Sequence, residues 1–316
     1  MASGVEARLA ATEYQREAVR FAGKYAGYYA ELGRLWHSGK MTDAQYVRLC
    51  VELERAGHDG SASLAARFVS DFRRLNGVDP GLIVYDEFDA AAALARSFST
   101  MKILESDPDR ANDTIDAMAA GFDRAVMNAG RDTVEWSAGA QGRSWRRVTD
   151  GDPCAFCAML ATRSDYTTKE RALTTGHTRR HKRGGKRPFG SKYHDHCGCT
   201  VVEVVGPWEP NRADAEYQRT YEKAREWVDD HGLQQSPGNI LKAMRTVGDM
   251  RSFDVVSGCA PPVIGAQGCL PHGGQQCCVV FRKECRVRLW PIRVLRNRML
   301  TMMLLSPERV ETLLML

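Results

Sequence analysis

Four cysteines in two tight pairs, with two histidines beside the second pair, are the residues of this 316-residue chain best suited to chemistry. In Cys154-Ala155-Phe156-Cys157 two intervening residues let the chain fold back, so both thiols turn toward one point. After 36 intervening residues comes His194-Asp195-His196-Cys197-Gly198-Cys199, where Gly198 lets the backbone bend tightly. Zinc takes four donors in a tetrahedron, and thiolate and imidazole suit it well. Six donors compete for four places, so the ligand set stays open: Cys154, Cys157, His194, Cys197 and Cys199, with His196 as a substitute. Five or more protein donors favour a closed shell, hence a structural zinc rather than a catalytic one. A disulfide, or free thiols, is the rival use of the same sulfurs.

Enzyme readings are weaker. Pro153-Cys154-x-x-Cys157 echoes half of the zinc-deaminase signature, which also needs an upstream His-x-Glu. His37 and His58 are followed two residues on by Gly39 and Gly60, so that reading fails. A His/Cys nuclease site would use His194 and His196. For a protease there is no Gly-x-Ser-x-Gly and no His-Glu-x-x-His, and His177 and His181 lack the Glu that would complete a metalloprotease motif. Cys157 could serve as a nucleophile but is better used as a ligand. Between the two Cys clusters, Arg179, Arg180, Lys182, Arg183, Lys186, Arg187 and Lys192 form a run without acids. Such a run can neutralise phosphates, with Phe189 and Tyr193 stacking on bases. The plainer reading is a solvated loop.

The elements that must position these residues are mostly helices. Tyr14, Ala18, Phe21, Tyr25, Tyr28, Leu32 and Leu35 form one apolar stripe. Ser38-Gly39 breaks that helix, and Thr42 with Gln45 caps the next, which is expected to end near Ala56. Gly57–Gly60 reads as a turn, followed by a helix with Leu64, Phe68, Phe72 and Leu75 on one face. Gly77–Gly81 with Pro80 is another breaker. A further helix from about Asp86 carries Phe88, Ala91, Ala95 and Phe98. Asp107-Pro108 opens the next, with Ile115, Met118, Phe122, Ala125, Val126 and Ala129 inward. Trp145–Val148 and Thr200–Val205 suit strands, residues 155–161 a short helix, and 163–192 a long loop. Tyr217, Tyr221, Ala224 and Val228 mark another helix, and Ile240–Val247 a shorter one.

The expected fold is therefore α+β, mainly α. A helical domain spans 1–140, a small Cys/His-containing α+β module 141–206, C-terminal helices 207–249, and an atypical tail 250–316. The net charge of +5 sits wholly in that tail: residues 251–316 carry nine Lys/Arg against four Asp/Glu, while the first 250 carry 35 of each. Global basicity is thus no argument for nucleic-acid binding by the main body. The tail also holds Cys259, Cys269, Cys277, Cys278 and Cys285 and almost no alanine. This abrupt shift reads either as a poorly structured extension or as a slipped reading frame, and we favour the slip. The longest apolar run, Met299–Leu305, is far short of the roughly 20 residues that span a bilayer. No secretory signal is seen, so the expected place is the cytoplasm unless a particle carries the protein out.

The segment Trp145–Val205 resembles the core of the Mu F-like phage head morphogenesis family. Its members carry Cys-x-x-Cys, a variable stretch, then His-x-x-Cys-x-Cys running into a Val-rich strand. Cys154 and Cys157 match the first part, and His194, Cys197 and Cys199 the second. The wording is similar to minor head proteins of actinobacterial phages. Many relatives have Arg where this chain has Gly198, so no role of that Arg carries over. The resemblance implies a minor capsid protein in few copies inside the virion near the portal. It implies contacts with portal and major capsid or scaffold protein, and a part in head assembly, DNA packaging or ejection. Relatives are often labelled capsid maturation proteases, which keeps protease or metal-dependent nuclease as the alternative. A virion leaves the reducing cytosol, so a disulfide in the mature particle rivals the metal.

Overall fold

Ser3 opens the first helix, α1 (Gly4–His37): its hydroxyl accepts from the Glu6 N–H while the Glu6 carboxylate accepts from the Ser3 N–H. The computed structural model describes residues 3–162, 197–248 and 250, all within the unit Met1–Ser257. The long loop at 163–192, His194, His196, the basic run Arg179–Lys192 and the tail beyond Met250 lie outside the described residues. The buried stripe of α1 is Ala7, Ala11, Tyr14, Ala18, Ala22, Tyr25, Tyr29 and Leu32. Phe21, Tyr28 and Leu35, expected on this stripe, sit half-buried at its edge. A strict seven-residue repeat drifts around a straight helix by about 20° per heptad, so the seam moves onto neighbouring positions.

The capping box at Thr42 and Gln45 starts α2 (Asp43–Leu75) as expected. The expected turn at Gly57–Gly60 is absent, because α2 runs through it unbroken. These glycines serve packing instead. A Cβ on Gly57 would lie 2.8 Å from Val126 Cγ2 and one on Gly60 2.4 Å from Phe21 Cζ. A segment without regular structure follows, turned by left-handed Gly77 (φ 70°) and Gly81 (φ 55°). Its backbone is held by side chains one helical turn apart on a neighbouring helix: Val84 N–H donates to Ser137 Oγ at 2.9 Å and Asp86 N–H to Thr133 Oγ1 at 3.1 Å.

Asp89 caps α3 (Ala90–Ser106). Its inward face is Ala93, Ser97, Thr100, Met101 and Leu104, not the expected Ala91, Ala95 and Phe98, which are exposed. Small residues win the inner face because they allow close approach; Tyr29 Oη lies 3.2 Å from Thr100 Oγ1. Pro108 opens a 3-10 turn (Pro108–Arg110) rather than the helix itself, and α4 (Ala111–Ala140) follows. Of its expected inward residues, Ile115, Phe122, Val126 and Ala129 are buried, and Met118 and Ala125 half-buried. Helices α1, α2 and α4 pack on one another as a three-helix core, with α3 against α2 and α4.

Strands β1 (Trp145–Val148) and β2 (Thr200–Glu203) pair antiparallel, with Trp145 opposite Glu203 and Val148 opposite Thr200. The sheet sits on the bundle: Val148 and Val202 cluster with Ala11, and Phe68 and Trp208 close over them. Glu203 is pinned by the buried Arg73 of α2, Nε–Oε2 2.6 Å and Nη2–Oε1 3.1 Å, and by Arg143. Such a pair resists separation, since removing either partner strands a buried charge. The short α5 (Ala155–Ala161) packs against β1, α6 (Arg212–Asp230) and α7 (Pro237–Val247). Arg8 ties α1 to α6 through a two-pronged contact with Asp214, 2.8 and 3.1 Å. The described chain is thus mainly α, with one small sheet. Among the described residues no helix is long and apolar enough to cross a membrane.

Candidate metal centre

The Cys-x-x-Cys pair is shaped by the start of α5. Cys154 is its N-cap in extended conformation, and its Sγ accepts from the Cys157 N–H at 3.5 Å. A thiolate there lies where the N–H groups of the helix's first turn point. Cys197 and Cys199 lead into β2, whose pairing with β1 brings them back beside α5. The sulfurs of Cys157, Cys197 and Cys199 all lie within 4.8 Å of one another, and Cys157 Sγ is 3.6 Å from Cys197 Sγ. All four cysteines are reduced, with no disulfide between them, and buried, at 0–2% exposure.

This arrangement fits a metal ion. Zinc–thiolate bonds of about 2.3 Å in a tetrahedron place sulfurs about 3.8 Å apart. The observed separation is close to that value and far from a disulfide bond length of about 2.05 Å. The described residues thus supply a buried three-cysteine cluster able to hold a metal ion, with Cys154 adjoining Cys157. His194 and His196 lie outside the described residues, as do Arg179, Arg180, Lys182, Arg183, Lys186, Arg187 and Lys192.

The protons of the cluster are unevenly shared. At Cys157 the contact with Cys154 pushes the thiol up, but hydrogen bonds from Cys197 and Cys199, together with the Arg147 charge, outweigh it and burial and hold Cys157 below the usual thiol range. Cys199 moves the opposite way: its hydrogen bonds with Cys157 and Cys197, and its burial, push it well up. Cys154 is lowered, chiefly by its hydrogen bond with Cys157. Without metal, then, thiolate character is favoured at the start of α5, on Cys154 and Cys157, and disfavoured on Cys199. The lone Cys50 is different: burial pushes it up to about 12, leaving an inert core thiol.

Residues that the sequence pattern does not single out complete the setting. Arg147 of β1, 4% exposed, donates from Nη1 to Cys157 Sγ at 3.5 Å. Arg131 of α4 and Gln15 of α1 donate to carbonyls of the Cys197–Cys199 turn. Their only sequence signal is a polar residue within an otherwise apolar helix face. Gly198 matters for space rather than for left-handed geometry: a Cβ there would meet Asp150 Oδ2 at 2.6 Å. Tyr217 of α6 donates to Gly151 O at 3.1 Å and steadies the turn before Cys154.

The model of the VG15 protein family matches residues 7–224, which takes in the three-helix core, both strands and both cysteine pairs. No curated protein and no solved structure matches the chain. With more than two thirds of its length matched, the chain belongs to the VG15 family of phage proteins.

Proposed function

We propose that this phage protein is a minor capsid protein of the Mu F-like kind, acting in head morphogenesis near the portal, and that its cysteine cluster holds a structural zinc ion. The observation that carries the reading is the meeting of Cys157 with Cys197 and Cys199, forty residues on in sequence, at one buried point. These three cysteines belong to the Cys-x-x-Cys and His-x-x-Cys-x-Cys pattern of the resemblance, and Cys154 adjoins Cys157. Zinc, when bound, supplies no reaction here; it joins the start of α5 to the entry of β2. Cys154, Cys157, Cys197 and Cys199 would hold it, with His194 or His196 as alternative donors. Burial of every one of these thiols supports a structural use over a nucleophilic one, since a nucleophile must reach its substrate.

On this reading the bundle faces portal, major capsid or scaffold protein, and the basic run from Arg179 to Lys192 lies against packaged DNA. Each of these cations lost from a phosphate contact reduces the slope of log affinity against log salt by about 0.9. Neutralising the run should therefore flatten that slope, and an unchanged slope would remove DNA from the partners. The wider role is tested in the particle. Purified virions should contain this protein in the head fraction at far fewer copies than the major capsid protein. Phage lacking it should make heads that are misassembled or empty of DNA. Its absence from particles, with normal filled heads in the knock-out, would overturn the reading.

A further inference from the structure

The turn Cys197-Gly198-Cys199 exposes three successive carbonyls, and each is met by a side chain from the helical bundle. Arg131 of α4 donates from Nε to Cys199 O at 2.9 Å and from Nη2 to Cys199 O at 2.6 Å and Cys197 O at 2.5 Å. Gln15 of α1 donates from Nε2 to Gly198 O at 2.7 Å. Arg131 is 1% exposed and Gln15 5%. The guanidinium is itself held, since Nη1 donates to Asn128 Oδ1 at 2.9 Å one turn back on α4. Gln15 and Arg131 stand 183 and 66 residues from the carbonyls they hold, so no local rule of turn formation accounts for the contacts.

We propose that Arg131, with Gln15, is a positioning clamp for the metal centre. It fixes the peptide planes of the Cys197–Cys199 turn so that both thiols face Cys157 before any ion arrives. The inference rests on the metal reading above and deepens it. A peptide unit is rigid and planar, so pinning its carbonyl also fixes the adjoining Cα–Cβ directions. Pinning three in a row fixes the planes on both sides of Cys199, which keeps little freedom but its side-chain rotamer, and the plane that follows Cys197. The fork geometry of guanidinium is what lets one side chain serve two carbonyls; an ammonium cannot do so with the same rigidity. Charge acts in the same sense: a divalent ion with several thiolates is anionic and buried, and the cationic Arg131 and Arg147 beside it offset the cost of desolvating that charge. Outer partners of this kind characteristically govern affinity by 10–100-fold.

The test measures zinc(II) affinity of the full-length protein by competition with a chromophoric chelator, together with the absorption spectrum of the cobalt(II)-loaded form. Arg131→Met is expected to weaken zinc binding by about 10–100-fold and to alter the cobalt–thiolate bands. Arg131→Lys, keeping the charge without the fork, should recover only part of the loss. Gln15→Leu is the milder variant and should lose several-fold; it carries the test if Arg131→Met does not fold. Ile115→Ala is the control, because it destabilises the same bundle at a cluster with Ala30 and Leu104 that does not include the turn. It should leave zinc affinity and the cobalt spectrum of the folded protein unchanged. Wild-type affinity in the Arg131 and Gln15 variants, or an equal loss in the control, overturns the clamp alone. A wild-type protein that binds neither ion overturns the clamp and the metal reading together.

Discussion

At the scale of single residues, burial and charge decide what each side chain can do. His58 shows the balance outside the metal centre. Burial would push its imidazolium down, but hydrogen bonds with Asp86 and Asp59, at 3.1 and 3.0 Å, outweigh it and raise the pKa above the usual 6.5. A raised folded-state pKa adds stability that is complete below the unfolded value and lost as pH rises through the folded one. His58→Gln should therefore cost more at about pH 5.5 than at about pH 9, as read from urea midpoints. A cost that grows with pH would refute the sign. The cysteine pairs were legible in the sequence because sulfur donors at close spacing are rare and their chemistry is specific. Arg131, Gln15 and Arg147 were not, because a side chain that reaches a carbonyl or sulfur on another element leaves no periodic mark. Gly198 was read as a bend, whereas its role is to leave room for Asp150.

At the scale of elements, a helix start marked by a capping box was legible, while starts marked only by glycine or proline, and helix faces, were less so. Thr42 with Gln45, the run Ala155–Ala161 and the strand character of Trp145–Val148 and of the Val-rich stretch from Thr200 were readable from local rules alone, whereas the pairing of the two strands is a product of the tertiary fold. Glycine misled at Gly57–Gly60, because the same residue marks both a chain break and a close helix crossing, and only tertiary packing tells them apart. Gly57→Ala separates the two meanings. A surface turn would tolerate it, and helix propensity alone would gain about 0.5–1 kcal/mol. Here the new methyl meets Val126 at 2.8 Å and Tyr25 at 3.1 Å, and overpacking of that kind costs about 1–3 kcal/mol. Net destabilisation of about 0.5–2 kcal/mol is expected from denaturant unfolding, and a stabilised variant would contradict the close crossing. The face of α3 was misassigned for a related reason. Its apolar residues Leu94 and Phe98 point outward, and its small and polar ones fit against Tyr29 and the bundle, so hydrophobicity alone chose the wrong side.

At the scale of the whole molecule, the helical bundle and the cysteine cluster are one construction. Arg73 holds β2 through Glu203, Arg131 and Gln15 hold the turn before β2, and Arg8 anchors α6, whose Tyr217 steadies the turn before Cys154. The family match follows the same extent, from α1 into α6. An ion at the cluster would thus lock two halves of a structure that the bundle already aligns, and its removal should loosen the sheet and α5 first. The most direct measurement is metal content of the full-length protein purified under reducing conditions, by elemental analysis and native mass spectrometry, for wild type and for Cys157→Ser. The account predicts one zinc per wild-type chain, a lower melting temperature after chelation, and no bound metal in Cys157→Ser. Metal-free wild-type protein whose melting temperature ignores chelator, or a Cys157→Ser chain that keeps its zinc, would contradict it.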